Sequence, residues 1–268
     1  EYTLTTPPIC PTNQDHLTPP SSKVRRDLDT EIRSLVDRSE TLLRDLDPVG
    51  QPSAVFDPAD PSLIARFVAL ALIAQPRQVL SDIEPFYGSG VYALYYNGAF
   101  PDYRPIINSE TPIYVGKVDP QTDTARTPIE QGKRLTRRLK DHRRSIGYAE
   151  TTLSLDDFES RSLVVQSGWQ GAAEAYLINF FEPVWNNETN ICYGIGKHGD
   201  SAKPRSNKRS PWDTMHPGRK WARDGTPIED ARPRRQIKAD LKRHFASVSV
   251  FKTDGQVLKS FVDELRQL

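Results

Sequence analysis

Cysteine is scarce in this chain, which has only Cys10 and Cys192 among its 268 residues. Neither their number nor their spacing is typical of a zinc site, and two cysteines cannot build the multiple cross-links of a disulfide-rich protein. We therefore expect no structural zinc and no disulfide framework, and we expect the reducing cytoplasm as the compartment.

Long apolar runs are also missing from the sequence. The richest one, from Leu63 to Ala74, is interrupted by Arg66 and fits a buried helix better than a membrane span. The N-terminal residues lack a basic start followed by an apolar run, so no signal peptide is expected. These absences predict a protein without a membrane partner.

A large net charge of either sign is absent, since the formal charge is only +1. The charge is nevertheless unevenly distributed. Residues 126–144 contain eight basic and two acidic residues, and residues 197–223 again contain eight and two. Each block alone could be a solvated surface, but two of them on a nearly neutral chain favour a polyanionic partner that binds one face.

Proline is abundant, with 22 residues, and favours ordered loops between short elements. Hydrophobic periodicity predicts an α+β fold: a small antiparallel three-stranded sheet flanked by helices, with N-terminal helices and a C-terminal extension. The predicted strands are residues 90–96, 112–118 and 160–166. The predicted helices are 23–46, 61–74, 130–145 and 170–181. The C-terminal extension is predicted as a helix (235–245), a strand (247–251), a turn at Asp254-Gly255 and a last helix (257–265).

Three regions are expected along the chain. Residues 1–60 would form an N-terminal arm and long helix, residues 61–235 a catalytic core with recognition loops, and residues 236–268 the C-terminal extension. The long helix is either an assembly element or an element packed on the core.

Several polar residues lie in segments that otherwise look like core. Tyr92 and Tyr114 lie in the first two strands, and Arg138 and His142 are four residues apart, so they share a helix face. Glu174 lies in an apolar helix, where an unpaired carboxylate would be costly. Each has an ordinary structural explanation: packing for the tyrosines, a solvated helix face for the pair, and a surface position for Glu174. The order and spacing of the whole set carry the information.

This order resembles the GIY-YIG nuclease superfamily. Gly90-Val91-Tyr92 and Tyr114-Val115-Gly116 stand where that family has its two name motifs, with valine in place of isoleucine in both. An arginine and a histidine on the next helix, a glutamate on a later helix and then Asn186 complete the pattern. Valine keeps the β-branched character of isoleucine, so this departure is mild.

The match is closer to one branch of restriction enzymes, which cut palindromic GC-rich sites such as CCGCGG. Three stretches resemble that branch: GVYALYYNGAFPDY at 90–103, TPIYVGKVDP at 111–120 and KRSPWDTMHPGRKWA at 208–222. The resemblance covers roughly residues 85–235 and implies a Type II restriction endonuclease.

The resemblance implies a role for each residue of the set. Glu174 would bind one divalent cation, Mg²⁺ or Mn²⁺, and Arg138 would contact a phosphate oxygen. Tyr92 would be the general base or would orient the attacking water, with a hydrogen bond from His142 or Tyr114, and His142 could instead relay the proton. Two more residues join the predicted site: Lys117 as a phosphate contact and Asn186 as a residue that orients the backbone or other groups of the site.

Recognition of the site should lie outside this core. Guanine presents acceptors that arginine and lysine read best, and the second basic block offers Lys203, Arg205, Lys208, Arg209, Arg219, Lys220 and Arg223. Trp212, His216 and Trp221 could anchor this segment. Most of the basic residues would contact phosphate, and a few would read bases. A palindromic double-stranded DNA site implies a two-fold symmetric protein, here a homodimer or homotetramer in the cytoplasm of a bacterium.

Three alternatives remain. A homing or repair nuclease of the same superfamily would have a longer, separate DNA-binding domain. A degenerate fold that binds DNA without cutting would not be expected to keep all five of the residues Tyr92, Tyr114, Arg138, His142 and Glu174. An α+β domain with basic loops and no such function would leave the ordered motif set unexplained.

Overall fold

The computed structural model describes residues 22–46, 49, 57, 60–196, 208–222 and 227–266. The chain forms two compact units, Glu1–Val55 and Phe56–Leu268. In the first unit, helix α1 (Ser22–Leu46) is one continuous helix, as its periodicity predicts. Our boundaries at residues 60 and 235 stay a prediction. No helix in the described part of the chain combines the length and the apolar character needed to span a bilayer.

The sheet of the second unit has four strands, so the predicted number of three is wrong. These are β1 (Gln78–Val79), β2 (Gly90–Tyr96), β3 (Tyr114–Val118) and β4 (Phe158–Val164), in the order β1-β4-β2-β3 with every pair antiparallel. Strand β1 was missed because two residues carry no periodicity. The α+β class and the antiparallel pairing of the two motif strands are confirmed.

Strand β2 is buried along its whole length, because both faces of the sheet are covered. Tyr92, Leu94 and Tyr96 point into one apolar cluster, which also holds residues of helix α4 (Arg134–Tyr148). Val91, Ala93 and Tyr95 point into a second cluster with helices α2 (Pro61–Ile73) and α5 (Gln170–Phe181). Alternation of side chains along a strand thus places neighbouring residues in different cores.

Helix boundaries follow local capping signals. Asp60 caps α2 by accepting a hydrogen bond from the Ser62 backbone N–H at 2.8 Å, and Pro61 occupies the first turn. The predicted continuous helix 130–145 is wrong, because Gly132 has φ = 76° and separates α3 (Pro128–Gln131) from α4. Helix α4 then runs three residues beyond the predicted end.

The C-terminal part contains α6 (Pro211–Met215), α7 (Arg234–Ser247) and α8 (Asp254–Leu265). The predicted strand 247–251 does not form. Instead, the Phe251 carbonyl accepts a hydrogen bond from the Glu110 N–H, and the Phe251 N–H donates to Thr111 Oγ1. The backbone groups of Phe251 are therefore paired with a loop and not with a strand. The predicted turn at Asp254-Gly255 is also wrong, since Thr253 caps a helix that begins there.

Packing of α2 against the sheet generates a stability prediction. Leu72 is completely buried, whereas Leu70 on the same helix is only partly buried. We expect Leu72→Ala to lower the free energy of unfolding by roughly 2–5 kcal/mol, because it leaves a cavity in the core. Denaturant unfolding of both variants measures this. A loss for Leu70→Ala as large as that for Leu72→Ala would contradict the assigned packing.

Candidate active site

The phenol of Tyr92 lies at the centre of a buried polar cluster. Its oxygen is 2.8 Å from His142 Nε2 and accepts a hydrogen bond from Arg138 Nε at 3.1 Å. Both partners come from one face of α4, as their spacing of four residues predicts. Because the phenol oxygen accepts from Arg138, its own proton is available to His142 Nε2 when that nitrogen is unprotonated.

The environment of Tyr92 keeps this phenol neutral. Burial raises the pKa of Tyr92 well above its ordinary value, Tyr114 adds to the rise, and the positive charge of Arg138 only partly offsets it. For Arg138, burial opposes the charge, but the neighbouring phenols of Tyr92 and Tyr114 raise its pKa overall. The cluster at neutral pH is therefore a charged guanidinium beside a protonated phenol.

Tyr114 and Gly116 shape the space around this phenol. The ring of Tyr114 lies 6.0 Å from that of Tyr92 and 5.0 Å from that of His142, between centroids. Gly116 is the register partner of Tyr92 on β3, and a Cβ added there would lie 2.5 Å from the Tyr92 hydroxyl oxygen. The glycine of the second motif is thus required by close approach, which its position in a tripeptide alone does not reveal.

The outer edge of β3 is closed by two side chains. The Asn186 amide accepts from the Val115 N–H at 2.9 Å and donates to the Val115 carbonyl at 2.8 Å. Two residues along the strand, the Lys117 N–H donates to Glu174 Oε1 at 3.0 Å. An edge strand otherwise leaves such groups unpaired, so Asn186 and Glu174 act as the missing neighbour strand.

The comparison with known families agrees with this arrangement. The family model of the Eco29kI GIY-YIG domain matches residues 84–245, which include every element of the site. The chain belongs to this family. It is a GIY-YIG nuclease of the restriction type, with DNA as its substrate, and this confirms the superfamily assigned from the motifs. A search among curated proteins finds none that matches the chain.

Nucleases of the GIY-YIG class generally use a divalent metal ion, and Glu174 fits such an ion. Its Oε1 is held by Lys117, while no residue in the described ranges hydrogen-bonds Oε2. Burial raises the pKa of Glu174 above its usual value, and the Lys117 N–H lowers it only in part. Within the described residues no group of three or more histidine, cysteine or acidic side chains could hold a metal. A cation here would therefore take most of its ligands from water and DNA, as Mg²⁺ commonly does.

Lys117 is beside the site but engaged elsewhere. Its ammonium group pairs with Asp119 at 2.8 Å, and this hydrogen bond is the main reason that the pKa of Asp119 is lowered. The structure thus gathers Tyr92, Tyr114, Arg138 and His142 in one cluster. It places Glu174 and Asn186 on the edge of β3, the strand whose Gly116 faces the Tyr92 phenol. Lys117 contributes its backbone N–H to the site, and its side chain is held by a neighbouring carboxylate.

The predicted DNA contacts fall into three groups. Lys203, Arg205 and Arg223 lie outside the described residues. Lys208 and Arg209 pair with Glu229 and Asp230, and Lys220 is exposed. Arg219 differs from all of these because its side chain is only 5% exposed and pairs with the fully buried Asp213. The GIY-YIG nuclease therefore keeps this cation inside, over the buried ring of Trp212.

The contact of Gly116 with Tyr92 leads to a kinetic prediction. We expect Gly116→Ala to slow DNA cleavage on the order of 100-fold, because the new methyl group displaces the phenol. Gly147→Ala is the matched control, since nothing lies within 4 Å of a Cβ added there on α4. Single-turnover cleavage assays measure both, and unchanged cleavage by folded Gly116→Ala would contradict the role given to this contact.

Proposed function

We propose that this nuclease is a Type II restriction endonuclease that hydrolyses both strands of DNA at a palindromic, GC-rich site of the CCGCGG kind. The observation that carries the proposal is the hydrogen-bonded cluster of Tyr92, His142 and Arg138, whose phenol faces Gly116 on β3. The next residue on that strand, Lys117, binds the carboxylate of Glu174 through its backbone N–H. The stretches at 90–103, 111–120 and 208–222 resemble enzymes with that specificity. As for restriction enzymes in general, we expect it in the bacterial cytoplasm.

Glu174 would hold the metal ion, with Mg²⁺ preferred and Mn²⁺ as a substitute, one per active site. When bound, such an ion supplies Lewis-acid stabilisation of the phosphate and of the leaving oxygen. The Lys117 N–H holds the carboxylate through Oε1 and leaves Oε2, which no described residue hydrogen-bonds, to bind the ion. Asn186 supports this placement because it holds Val115, two residues away on the same strand edge.

Tyr92 and His142 would move the proton of the attacking water. A phenol with a raised pKa cannot act as a preformed phenolate. Tyr92 therefore accepts the water proton at its oxygen as its own proton passes to His142 Nε2, 2.8 Å away. Tyr114 packs against the rings of Tyr92 and His142 and would hold them in their relative positions.

Arg138 would bind the phosphate that is cut. Its Nε is engaged by Tyr92, so its terminal nitrogens are the ones directed to a phosphate oxygen. Lys117 is a second phosphate contact if DNA displaces Asp119 from its ammonium group. Both residues carry a positive charge, which stabilises the negative charge that develops in the transition state.

The DNA-binding surface would extend from α4 into the recognition segment. Lys208, Arg209 and Lys220, together with Lys203, Arg205 and Arg223, are proposed to contact phosphates or guanine edges. A palindrome needs two symmetry-related active sites, so the enzyme would cut as a homodimer or homotetramer.

Cleavage of unmethylated plasmid and phage DNA with Mg²⁺ or with EDTA tests the function, followed by sequencing of the product ends. Discrete, metal-dependent fragments that share one GC-rich palindrome are expected. Nicks without a common sequence would favour a repair or homing nuclease. DNA binding without cleavage in any divalent cation would favour a non-cleaving binding protein.

The charge of Glu174 gives a second kinetic prediction. Glu174→Gln keeps an oxygen that can accept from Lys117 but removes the negative charge. We expect cleavage to fall on the order of 100-fold or more, since metal stabilisation of the transition state is worth several kcal/mol. DNA affinity measured in EDTA should be unchanged. Glu150→Gln, in an exposed position after α4, is the control, and full cleavage by Glu174→Gln would remove it from the metal site.

The basic face of α4 gives a prediction about salt. Arg137 and Lys140 are exposed on this helix, next to the residues of the site. If both contact phosphate, Arg137→Gln and Lys140→Gln should each lower the slope of log affinity against log salt by about one. Fluorescence anisotropy at several salt concentrations measures the slope. Lys259→Gln on α8 is the control, and slopes like that of the wild type would place DNA elsewhere.

A further inference from the structure

The segment 208–222 contains a buried ion pair that the catalytic roles above do not use. Arg219 Nε lies 2.6 Å from Asp213 Oδ1, with side-chain exposures of 5% and 0%. The other carboxylate oxygen, Asp213 Oδ2, accepts from Ser210 Oγ at 2.5 Å. The guanidinium also lies over the ring of Trp212, 4.8 Å from its centroid. This arginine is therefore fixed on several sides.

The remaining donors of Arg219 reach a different part of the chain. Nη2 donates to the Gly194 carbonyl at 3.0 Å, and Nη1 donates to the Ile195 carbonyl at 3.3 Å. These two carbonyls immediately precede Gly196. A planar fork with several donors can satisfy one carboxylate and two carbonyls together, whereas a lysine ammonium is a single point on a flexible stem.

Gly196 is in turn a neighbour of the active site. A Cβ added at Gly196 would lie 2.6 Å from Arg138 Nη2. The glycine backbone therefore lies against the terminal nitrogens of Arg138, which are the nitrogens proposed to bind phosphate. The Nε of the same guanidinium is held by Tyr92 on its other side.

We propose that Arg219 is a positioning residue for Arg138 and acts through the segment Gly194–Gly196. Asp213 orients Arg219, Arg219 fixes the carbonyls of Gly194 and Ile195, and Gly196 limits where Arg138 can lie. The inference rests on the phosphate-binding role proposed for Arg138. It also changes the function expected for Arg219, from a DNA contact to an internal support.

Arg219→Lys tests this, with Arg232→Lys as the matched control. Arg232 is bound in the same manner, by Asp240 and by the carbonyls of Asn190 and Ile191. These two carbonyls precede the segment Gly194–Gly196 in the chain. Two readouts are needed: single-turnover cleavage with DNA affinity, and the ¹H–¹⁵N NMR signal of Arg138 Nε, identified by its loss in Arg138→Lys.

In Arg219→Lys we expect the Arg138 signal to shift and cleavage to slow on the order of 10- to 100-fold, with DNA affinity within about twofold of the wild type. Arg232→Lys should leave the signal and the rate unchanged. A folded Arg219→Lys with an unchanged Arg138 signal, or with weakened DNA affinity and a normal rate, would overturn the proposal.

Gly196→Ala keeps the proposal testable if Arg219→Lys does not fold, because it leaves the ion pair intact. The added methyl group should displace Arg138 and reproduce both effects, and a normal Arg138 signal in this variant would overturn the proposal. Arg138→Lys tests the phosphate-binding role of Arg138 separately. If that variant cleaves DNA at the full rate, this role is wrong. The NMR signal in Arg219→Lys still shows whether Arg219 positions Arg138.

Discussion

The unpaired edge of β3 is the constraint on which the active site depends. A strand at the edge of a sheet has backbone groups that need partners, and here Asn186 and Glu174 provide them from beyond the sheet. Because one hydrogen bond both satisfies the Lys117 N–H and orients the Glu174 carboxylate, completion of the strand edge also places the group proposed to bind the metal ion. The register of β2 and β3 then sets Tyr92 beside Gly116 and fixes the phenol relative to that edge.

Strand β2 serves two cores at once, and this explains how a polar site can exist inside a buried sheet. Its Val91 and Tyr95 face the cluster that holds α5, so the helix carrying Glu174 is positioned by apolar packing. Tyr92 faces the other cluster, where α4 brings Arg138 and His142 to its hydroxyl. Apolar burial thus supplies the placement, and only a few hydrogen bonds are needed to set the final orientation.

The parts of this architecture that repeat a pattern could be predicted from the sequence. β-Branched and aromatic residues predict β2 and β3, and the spacing of Arg138 and His142 predicts that they share one face of a helix. Strand β1 is too short to show a periodic pattern. The backbone of Phe251 bonds to Thr111, which is too far away in the sequence for a local pattern to predict the contact. The burial of Arg219 was also missed, because a basic block looks the same whether its members face solvent or a carboxylate. Asp213, one of only two acids in that block, was the available signal.

The buried state of Tyr92 limits how the proposed reaction can begin. Removal of its proton to bulk solvent would create an anion in a site where burial already raises the pKa of the phenol. Arg138 offsets this only in part, so the phenol must lose its proton as it gains another. His142 is the titratable group at hydrogen-bond distance that can receive it, while Arg138 and the phosphate it would bind remain charged throughout. The same burial that makes Tyr92 a poor base in isolation therefore makes the pair of Tyr92 and His142 a directional path for one proton.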